Sequence, residues 1–381
     1  MDIGACNSYL LINLDVIADN VRKIQENIGP GMDIMPILKG NAQGFGIIEI
    51  AKFLTEQCGT KIIGNAQVLE SLQLKEAGIG CAFFILGGVP YNNIPAVVEH
   101  DFITPAYSEE YLRLLDVEAA RRAKKARVKI KVETGLNRIG VWPGEELEKL
   151  TALLKDLKNL EVIGAYTHFA EAEAVDKSFT LQQFSVFKDA LKQIRAAGFK
   201  LTYVHAFNAA ATIWLRDAEM THVRPACLLF GFDTNQEPKN VLGLTEAMTW
   251  RAFVTNVKTV PTGQTVGYNR VFTAERPTKV ATVSAGYGDG YARHLAACCG
   301  AEMLVRGKRA KVIGTCMDQT FLDVTGMDVE MNDTVTMIGR DGDEFISVFE
   351  LQERMGQTYL AVTALIAPRV KRIYTGGTYK G

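Results

Sequence analysis

The sequence lacks an excess of charge of either sign. It has 42 basic and 43 acidic side chains, and its formal net charge at pH 7 is -1. Proteins that hold nucleic acid or an anionic membrane by electrostatic attraction usually carry a basic excess. The composition therefore gives no reason to expect either of these partners.

Long apolar runs and metal-type cysteine spacings are also missing. No apolar run reaches the roughly 18–20 residues of a membrane-spanning helix, and the first residues lack the pattern of a signal peptide. The seven cysteines are scattered: Cys6, Cys58, Cys81, Cys227, Cys298, Cys299 and Cys316. We interpret the adjacent Cys298 and Cys299 as free thiols and expect a cytoplasmic protein without a metal site.

A regular alternation of strand and helix patterns fills the first 240 of the 381 residues. Eight segments have the pattern of buried strands and alternate with segments of helical periodicity. These strands are expected to end near Lys39, Ala66, Gly87, Tyr107, Glu133, His168, Asn208 and Gly231. The pattern predicts an α/β fold, a (β/α)8 TIM-type barrel over residues 14–240, with a doubly wound open sheet as the alternative.

The pattern changes after about Asn240. Short strand-like runs, such as Met248–Val260, then follow one another at close spacing and are separated by turn signals. We predict a second, mostly antiparallel β domain formed by residues 1–13 and 241–381.

Residues 34–46 combine the features of a reactive site. An apolar run of strand length ends at Lys39, and a turn with Gly40, Gly44 and Gly46 follows. A lysine at the end of a buried strand loses part of its hydration, which lowers its pKa and favours the free amine that attacks a carbonyl. The stretch predicts a Schiff-base lysine, although a lysine that extends only its tip to solvent gives the same pattern.

Further polar residues follow the predicted strand ends, where barrel enzymes carry their chemistry. They are Lys131, Glu133, Arg138, His168, His205, Asn208 and Arg224. Any one of them is also compatible with an ordinary core or rim residue. Several cations at one opening suit a doubly anionic ligand, such as a phosphorylated cofactor that holds a carboxylate substrate. The loops after Asn208 and Arg224 occupy positions at which barrels commonly bind phosphate.

Seven motifs in this order resemble those of the alanine racemase family of fold-type III pyridoxal-phosphate enzymes, and the match extends from Leu10 to Tyr374. The motifs are Lys39-Gly40-Asn41-Ala42-Gln43-Gly44, Lys131-Val132-Glu133-Thr134-Gly135-Leu136-Asn137-Arg138, Tyr166-Thr167-His168-Phe169-Ala170, Val223-Arg224-Pro225, Val266-Gly267-Tyr268, Gly286-Tyr287-Gly288-Asp289-Gly290-Tyr291 and Cys316-Met317-Asp318-Gln319.

The resemblance implies an amino-acid racemase that uses pyridoxal 5'-phosphate and two bases. Lys39 would form the Schiff base with the cofactor and exchange the α-proton on one face of the substrate. Tyr268 of the partner subunit would serve the opposite face. Arg224 would face the pyridine nitrogen, and His168 and His205 would link it through hydrogen bonds to the tyrosine.

The resemblance also implies how the substrate is bound. Arg138 would contact the cofactor phenolic oxygen and the substrate carboxylate, steadied by Lys131, which is carbamylated in several relatives. Tyr287, Met317 and Asp318 would reach the substrate entrance from the partner subunit. The protein would therefore be a homodimer with shared active sites.

The sequence departs from the family pattern around the phosphate. Gln43 and Pro368 replace tyrosines, Ala209 replaces a serine, Phe45 replaces a histidine and Ala226 replaces a glycine. Three hydroxyls are absent, and a hydrogen bond to a charged group is worth about 1.5–3 kcal/mol. The cofactor would then be held by side chains or backbone at Lys39, Gln43, Asn208, Ala209 and Ala226.

We therefore expect a racemase that interconverts L- and D-alanine or a related small amino acid such as serine. The tyrosine replaced by Pro368 borders the substrate pocket in the family, so a substrate other than alanine is a further hypothesis. Three alternatives stay open: a racemase for a longer amino acid such as lysine or ornithine, an amino-acid decarboxylase of the same fold type, and a non-catalytic pyridoxal-phosphate-binding protein. The decarboxylases use a cysteine where this chain has Tyr268, and a carrier needs no second base.

Overall fold

A computed structural model describes residues 4–296, 300–356 and 358–376 of the chain. Cys298 and Cys299, predicted to be free thiols, lie outside these described residues. No disulfide bond joins any two cysteines within them. Each helix in the described ranges is too short or too polar to cross a bilayer. The same ranges contain no group of three or more His, Cys, Asp or Glu side chains placed to hold a metal ion.

The described chain forms two compact units. The α/β unit consists of Ile17–Ala42 and Ile47–Thr245. The β unit consists of the residues up to Val16, the short segment Gln43–Gly46 and the residues from Glu246 onward.

Eight short strands, numbered here in chain order, make up the sheet of the α/β unit, all of whose residues are described. They are Asp33–Ile34, Ile62–Asn65, Ala82–Ile85, Thr104–Ala106, Ala126–Lys131, Leu160–Tyr166, Tyr203–His205 and His222–Val223. Their Val, Ile and Phe content suits strands that are buried on both faces.

Parallel pairing connects these strands in sequence. The first strand pairs with the eighth, the second with the third, and the fourth to seventh strands form one continuous sheet. Single bridges add the missing links: Ile37 with Gly64 and Phe84 with Ile103. A backbone hydrogen bond from Thr221 to Val204 joins the eighth strand to the seventh. The pairings thus lead through all eight strands and return to the first.

Helices alternate with these strands. They are Leu14–Ile28, Ile47–Gln57, Val68–Glu76, Ile94–Glu99, Glu109–Arg121, Glu145–Asp156, Ser178–Ala196 and Ala209–Trp214. The longest helix, Ser178–Ala196, shows why these segments are helical. Its buried residues recur every three or four positions and so form one apolar face: Phe184, Phe187, Leu191 and Ile194.

The eighth strand is shorter than predicted. It ends at Val223, and Ala226–Phe230 form a 3₁₀ helix, so the strand end predicted near Gly231 is wrong. The apolar run Cys227–Phe230 is buried all round, and a short buried apolar run has the same pattern in a strand and in a helical turn.

A nine-stranded sheet dominates the described part of the β unit. Its strands, in spatial order, are Glu344–Ile346, Thr334–Asp341, Glu302–Val305, Lys308–Thr315, Thr320–Asp323, Thr278–Val283, Met248–Val260, Ser8–Asn13 and Lys371–Thr375. All neighbouring pairs are antiparallel except the last, in which Ser8–Asn13 runs parallel to Lys371–Thr375. The prediction of a mostly antiparallel β domain is therefore confirmed.

Short strands, helices and turns complete the described β unit. Thr265–Val266 pairs with Phe272–Thr273, and the 3₁₀ segment Tyr268–Arg270 lies between them. The α-helices are Val348–Met355 and Tyr359–Ala364.

Candidate active site

The segment after Lys39 is a left-handed turn. Gly40, Asn41, Ala42 and Gln43 have φ angles of 62°, 55°, 53° and 56°. This conformation costs about 1–2 kcal/mol for each residue other than glycine. Such strain persists only where the surrounding structure imposes it, and it is concentrated at functional sites. The glycine-rich turn predicted from the sequence is therefore present, in a strained form, beside the candidate reactive lysine.

Side chains on either side of this turn hold it in place. Glu70 Oε1 accepts a hydrogen bond from Gly40 N at 2.6 Å. Asn41 Oδ1 accepts one from Ile47 N at 2.8 Å and so caps the helix that begins there. The turn is thus attached to the helix after the second strand and to the helix that follows the turn itself.

The next residues, Gln43–Gly46, belong to the β unit. Within that unit, Arg372 Nε donates to Gly44 O at 3.1 Å and the Tyr374 hydroxyl donates to Phe45 O at 2.8 Å. Gly44 has a φ of 94°, and a Cβ here would overlap a backbone carbonyl oxygen. Only glycine fits this position without displacement of the backbone.

The surroundings of Lys39 favour its uncharged amine, although the residue keeps an exposed surface. Partial burial lowers the pKa of Lys39, and the positive charge of Arg138 lowers it further. The smaller effects of Cys227 and Glu70 act in the opposite direction. Because only the free amine is nucleophilic, these surroundings increase the fraction of Lys39 that can react with a carbonyl.

Arg224 follows the eighth strand and donates hydrogen bonds from both terminal nitrogens. Nη1 donates to Nδ1 of His205 at 2.6 Å and to the His205 carbonyl oxygen at 3.0 Å. Nη2 lies 2.8 Å from Thr167 O, 3.0 Å from Ala206 O and 3.2 Å from Nδ1 of His168. The guanidinium therefore joins the ends of the sixth, seventh and eighth strands.

These contacts determine where the two imidazoles carry their protons. A guanidinium nitrogen can donate but cannot accept a hydrogen bond, so Nδ1 of His205 and Nδ1 of His168 are both acceptors. Burial first, and neighbouring positive charges second, lower the pKa of both histidines well below the ordinary 6.5. Each ring is therefore neutral at pH 7 and carries its hydrogen on Nε2.

The Nε–H of Arg224 has no acceptor among the described residues. The residue as a whole is only 2% exposed, and its Nε is not among the buried atoms without a partner. This unengaged donor is therefore available to a ligand or a water. Burial lowers the pKa of Arg224 to about 10, so the guanidinium remains charged at neutral pH. It presents a fixed cationic donor to an acceptor atom of a ligand.

The fifth strand and its loop contribute Lys131, Glu133 and Arg138. Lys131 is 1% exposed, and its Nζ donates to the carbonyl oxygen of Val132 at 2.8 Å. Burial lowers the pKa of Lys131 to about 8, against the opposing effect of the Glu133 carboxylate. Arg138 is exposed and makes no hydrogen bond or ion pair with another described residue. Its charge also lowers the pKa of Lys131, so the unmodified lysine repels Arg138.

The residues predicted to hold the phosphate differ in their surroundings. Gln43 is 3% exposed, and its Oε1 has no hydrogen-bond partner in the described part of the chain. Asn208 Oδ1 accepts from Ala211 N at 3.1 Å and so caps the helix that begins at Ala209. Ala226 has a φ of 43°, a left-handed conformation that glycine adopts more easily. The side-chain oxygen of Asn208 is therefore already engaged, whereas that of Gln43 is not.

The predicted residues of the β unit lie on turns. Tyr268 begins a 3₁₀ segment and is 66% exposed, and Met317 is 58% exposed. Asp318 is exposed and Tyr287 is half-buried. Within the α/β unit, the structure thus joins His168 and His205 to Arg224 and places the charge of Arg138 close enough to act on Lys39. It assigns the four residues on turns, like Gln43, to the β unit.

Family models match both halves of the chain. The model described as "Alanine racemase, N-terminal domain" matches residues 12–234, and "Alanine racemase, C-terminal domain" matches residues 247–374. The chain belongs to the alanine racemase family. The family resemblance inferred from the seven motifs is thereby confirmed, and the α/β unit and the antiparallel β unit are those of an alanine racemase fold.

Individual alanine racemases match over nearly the whole chain. One from Methanococcus maripaludis is 34% identical over 366 residues, which cover 95% of this chain and 97% of the relative. The crystal structure of alanine racemase from Bacillus anthracis with bound L-Ala-P has a TM-score of 0.93 at 30% identity and covers 99% of this chain and 97% of that one. Alanine racemase from Bartonella henselae, with covalently bound pyridoxal phosphate, has a TM-score of 0.85 at 25% identity and covers 97% of this chain and 100% of that one.

The structure adds two residues to this site that the motifs in the sequence do not indicate. Glu70 holds the turn after Lys39, and no local pattern distinguishes it from other glutamates at the start of a helix. Lys129 is completely buried beside His205. A signal for Lys129 exists, because it is two positions before Lys131 in a strand and therefore faces the same side.

Proposed function

We propose that this protein is a pyridoxal-phosphate-dependent amino-acid racemase that interconverts the L and D forms of alanine or of a similarly small amino acid. The observation that carries the proposal is the buried Arg224 with its unengaged Nε–H, in the same unit as a strained lysine turn. Full-length similarity to proteins named alanine racemase supports the reaction class.

The residues present suit the cofactor. Arg224 offers a cationic donor for a ring nitrogen, and Lys39 offers an amine with a lowered pKa for the aldehyde. Arg138 is an unengaged cation for an anionic oxygen of the cofactor or the substrate. When bound, pyridoxal phosphate withdraws electrons from the substrate α-carbon and so makes its proton easier to remove.

The phosphate is the point at which this chain differs from its family. We infer that Gln43 replaces a tyrosine hydroxyl as a ligand, because the residue is buried and its oxygen has no partner among the described residues. An amide turned about its last bond would present its NH₂ there as a donor. The family resemblance also implies phosphate contacts from backbone N–H groups at Asn208, Ala209 and Ala226, which all belong to the α/β unit.

The proposed reaction uses one base on each side of the α-carbon. Lys39 Nζ takes or returns the proton on one side, and the hydroxyl of Tyr268 does so on the other side. His168, whose Nε2 carries a hydrogen, is the proposed link from Arg224 to the tyrosine oxygen.

The proposed assembly is a homodimer. Tyr268 and Met317 are exposed large side chains, as expected of residues that enter a partner's site together with Tyr287 and Asp318. We also propose that the ring of eight strands is a (β/α)8 barrel over residues 14–240 and that residues 1–13 and 241–381 form the second domain. The cytoplasmic location stays a prediction.

Carbamylation of Lys131 is part of the proposal. The neutral amine of Lys131 adds to the carbon of CO₂, and the nitrogen loses a proton to give an anionic carbamate. This change would replace repulsion of Arg138 by attraction. A mass of the intact protein that rises by one CO₂ in bicarbonate, and not in a Lys131→Met variant, would support it.

The test of the reaction is α-proton exchange in deuterated water, followed by NMR. The cofactor-loaded protein is offered both enantiomers of alanine, serine, lysine and ornithine. Exchange with loss of chirality would establish a racemase and identify its substrate, whereas the absence of exchange with cofactor bound would contradict the proposal. A far higher kcat/KM for alanine than for all others would reject the hypothesis of a changed substrate preference.

Shared sites can be tested by mixing two inactive variants. In a mixed dimer of Lys39→Ala and Tyr268→Phe subunits, one of the two sites would contain both intact bases. Mixing the variants under conditions of subunit exchange should therefore restore part of the activity. Activity that stays at the level of the separate variants, with exchange shown by mass labelling, would place both bases in one subunit.

A further inference from the structure

Lys129 is a completely buried lysine next to the Arg224 network. It lies on the fifth strand, two residues before Lys131, and its exposed fraction is 0%. Its Nζ is 3.3 Å from Nε2 of His205. The ring centroids of Phe84 and Tyr203 lie 4.2 and 4.4 Å from the same nitrogen. None of the roles proposed for the reaction uses this side chain.

The proton on His205 restricts what Lys129 can be. Arg224 Nη1 lies 2.6 Å from Nδ1 of His205 and can only donate. Nδ1 is therefore an acceptor, and the single hydrogen of the neutral imidazole is on Nε2. The atom that faces Nε2 is Nζ of Lys129, so Nζ is the acceptor of this hydrogen bond.

An ammonium group cannot fill that role. It has three hydrogens and no lone pair, so two donors would face each other across 3.3 Å. A neutral amine has one lone pair for Nε2–H and two hydrogens that can point to the faces of Phe84 and Tyr203. The contacts of Lys129 therefore match a neutral amine at all three positions.

The charges around Lys129 act in the same direction. Burial lowers its pKa well below the ordinary 10.5, and the positive charges of Arg224 and Arg127 lower it further. The titratable groups that face it from other strands are His205 and Tyr203 of the seventh strand and His222 of the eighth. The third strand contributes the apolar ring of Phe84, and the charges that lower the pKa of Lys129 are both positive.

We propose that Lys129 is a positioning residue, an uncharged amine that accepts the Nε2 hydrogen of His205 and so fixes the ring that receives the Arg224 guanidinium. The path Lys129–His205–Arg224 then determines where the free Nε–H of Arg224 points. The effect of this path on catalysis rests on the proposed function, whereas the protonation states do not.

His205 has little freedom to satisfy its hydrogen elsewhere. Its ring stacks on the ring of Tyr166, with centroids 5.2 Å apart. It also makes a T-shaped contact with the ring of Phe84, with centroids 5.6 Å apart. The residue is 0% exposed. Loss of the acceptor at position 129 would therefore leave a buried N–H without a partner, and the ring would have to move to find one.

The first test measures the protonation states directly by nitrogen NMR of the purified protein with its bound cofactor. Five histidines and the lysine ζ-nitrogens are labelled with ¹⁵N. Lys129→Met and His205→Asn identify the two signals by their disappearance. We expect a neutral amine at Lys129 and an Nε2–H tautomer at His205 at pH 7. An ammonium signal for Lys129, or a hydrogen on Nδ1 of His205, would overturn the proposal.

The second test uses a pair of side chains of equal length. Lys129→Gln supplies a carbonyl oxygen that can accept the Nε2 hydrogen, whereas Lys129→Met has nearly the same shape and no comparable acceptor. An unsatisfied buried donor should lower kcat by about tenfold to a hundredfold in the methionine variant. KM should change little, because the residue lies behind Arg224. The glutamine variant should recover most of the loss, and Lys200→Met, at an exposed lysine, should behave as the parent.

The two tests separate this inference from the proposed function. Equal loss of kcat in the glutamine and methionine variants, with both folded, would reject the acceptor role. A parent protein that binds cofactor and exchanges no α-proton would reject the racemase. The NMR result for Lys129 and His205 would still decide the protonation states in that case.

Discussion

Glu246 offers a quantitative test of how burial acts on this structure. Its side chain is half-buried in the β unit, where Oε2 accepts a hydrogen bond from Val348 N at 3.1 Å. Burial raises the pKa of Glu246 from the ordinary 4.5 to about 7, and the hydrogen bond opposes this only in part. The folded protein therefore holds a proton that the unfolded chain releases.

The sign of the pH dependence follows from this difference. Below the unfolded pKa, both states bind the proton and the carboxyl imposes no penalty. As the pH rises from about 4.5 to about 7, the unfolded state loses its proton first, so the stability of the fold falls. The difference between the two pKa values corresponds to about 3 kcal/mol at pH values above 7. Substitution Glu246→Gln removes the titration and keeps an oxygen for Val348 N.

The variant and the parent should be compared by urea unfolding at about pH 4.5 and about pH 8. We expect similar free energies of unfolding at the lower pH and a gain of up to about 3 kcal/mol for Glu246→Gln at the higher pH. Glu275→Gln, at an exposed glutamate of the same unit, is the matched control. A gain that is absent at the higher pH, or that is equally large at both pH values, would refute the argument from burial.

Three further predictions concern the site and the sheet that supports it. Lys39→Ala should abolish the visible absorbance of lysine-bound cofactor, and persistence of that absorbance would remove Lys39 from its role. Tyr268→Phe should slow α-proton exchange mainly from one enantiomer, and equal slowing from both would contradict the assignment of two bases. Gly164→Ala should destabilise the fold by about 1–3 kcal/mol in urea, because its Cβ would overlap the carbonyl oxygen of Tyr203 and lie 2.8 Å from the Tyr203 Cβ. Gly80→Ala, where a Cβ meets no atom within 4 Å, should be neutral, and equal effects of the two glycine variants would show that the contact does not matter.

Much of the fold was accessible from local pattern. Strands such as Ile62–Asn65 and Met248–Val260 lie where hydrophobic runs predict them, because alternation and apolar runs reflect which faces are buried. The errors fall where that signal is ambiguous. Ala226–Phe230 is a buried apolar run that forms a helical turn, and Tyr359–Ala364 is too short for its periodicity to stand out.

The sequence indicates which residue types follow the strand ends, but it does not indicate how their side chains are arranged. The ends of parallel strands meet at one edge, so Lys39, His168, His205 and Arg224 could be grouped from the sequence. Arg138 could be grouped with them as a cation after a predicted strand end, but its lack of partners among the described residues and its effect on the pKa of Lys131 are visible only in the structure.

The sequence by itself determines features that depend on residues near each other in the chain. These are the order of strands and helices, the glycine-rich turn after Lys39 and the family motifs. The tertiary structure alone determines three other features. They are the strain of residues 40–43, the single proton on each imidazole and the neutral state inferred for Lys129. Each depends on residues distant in the chain. Glu70 accepts a hydrogen bond from Gly40, which is 30 residues earlier in the chain, and Lys129 contacts His205, which is 76 residues later. Hydrogen-bond direction and loss of hydration arise from such contacts, and they determine the chemistry that this site can perform.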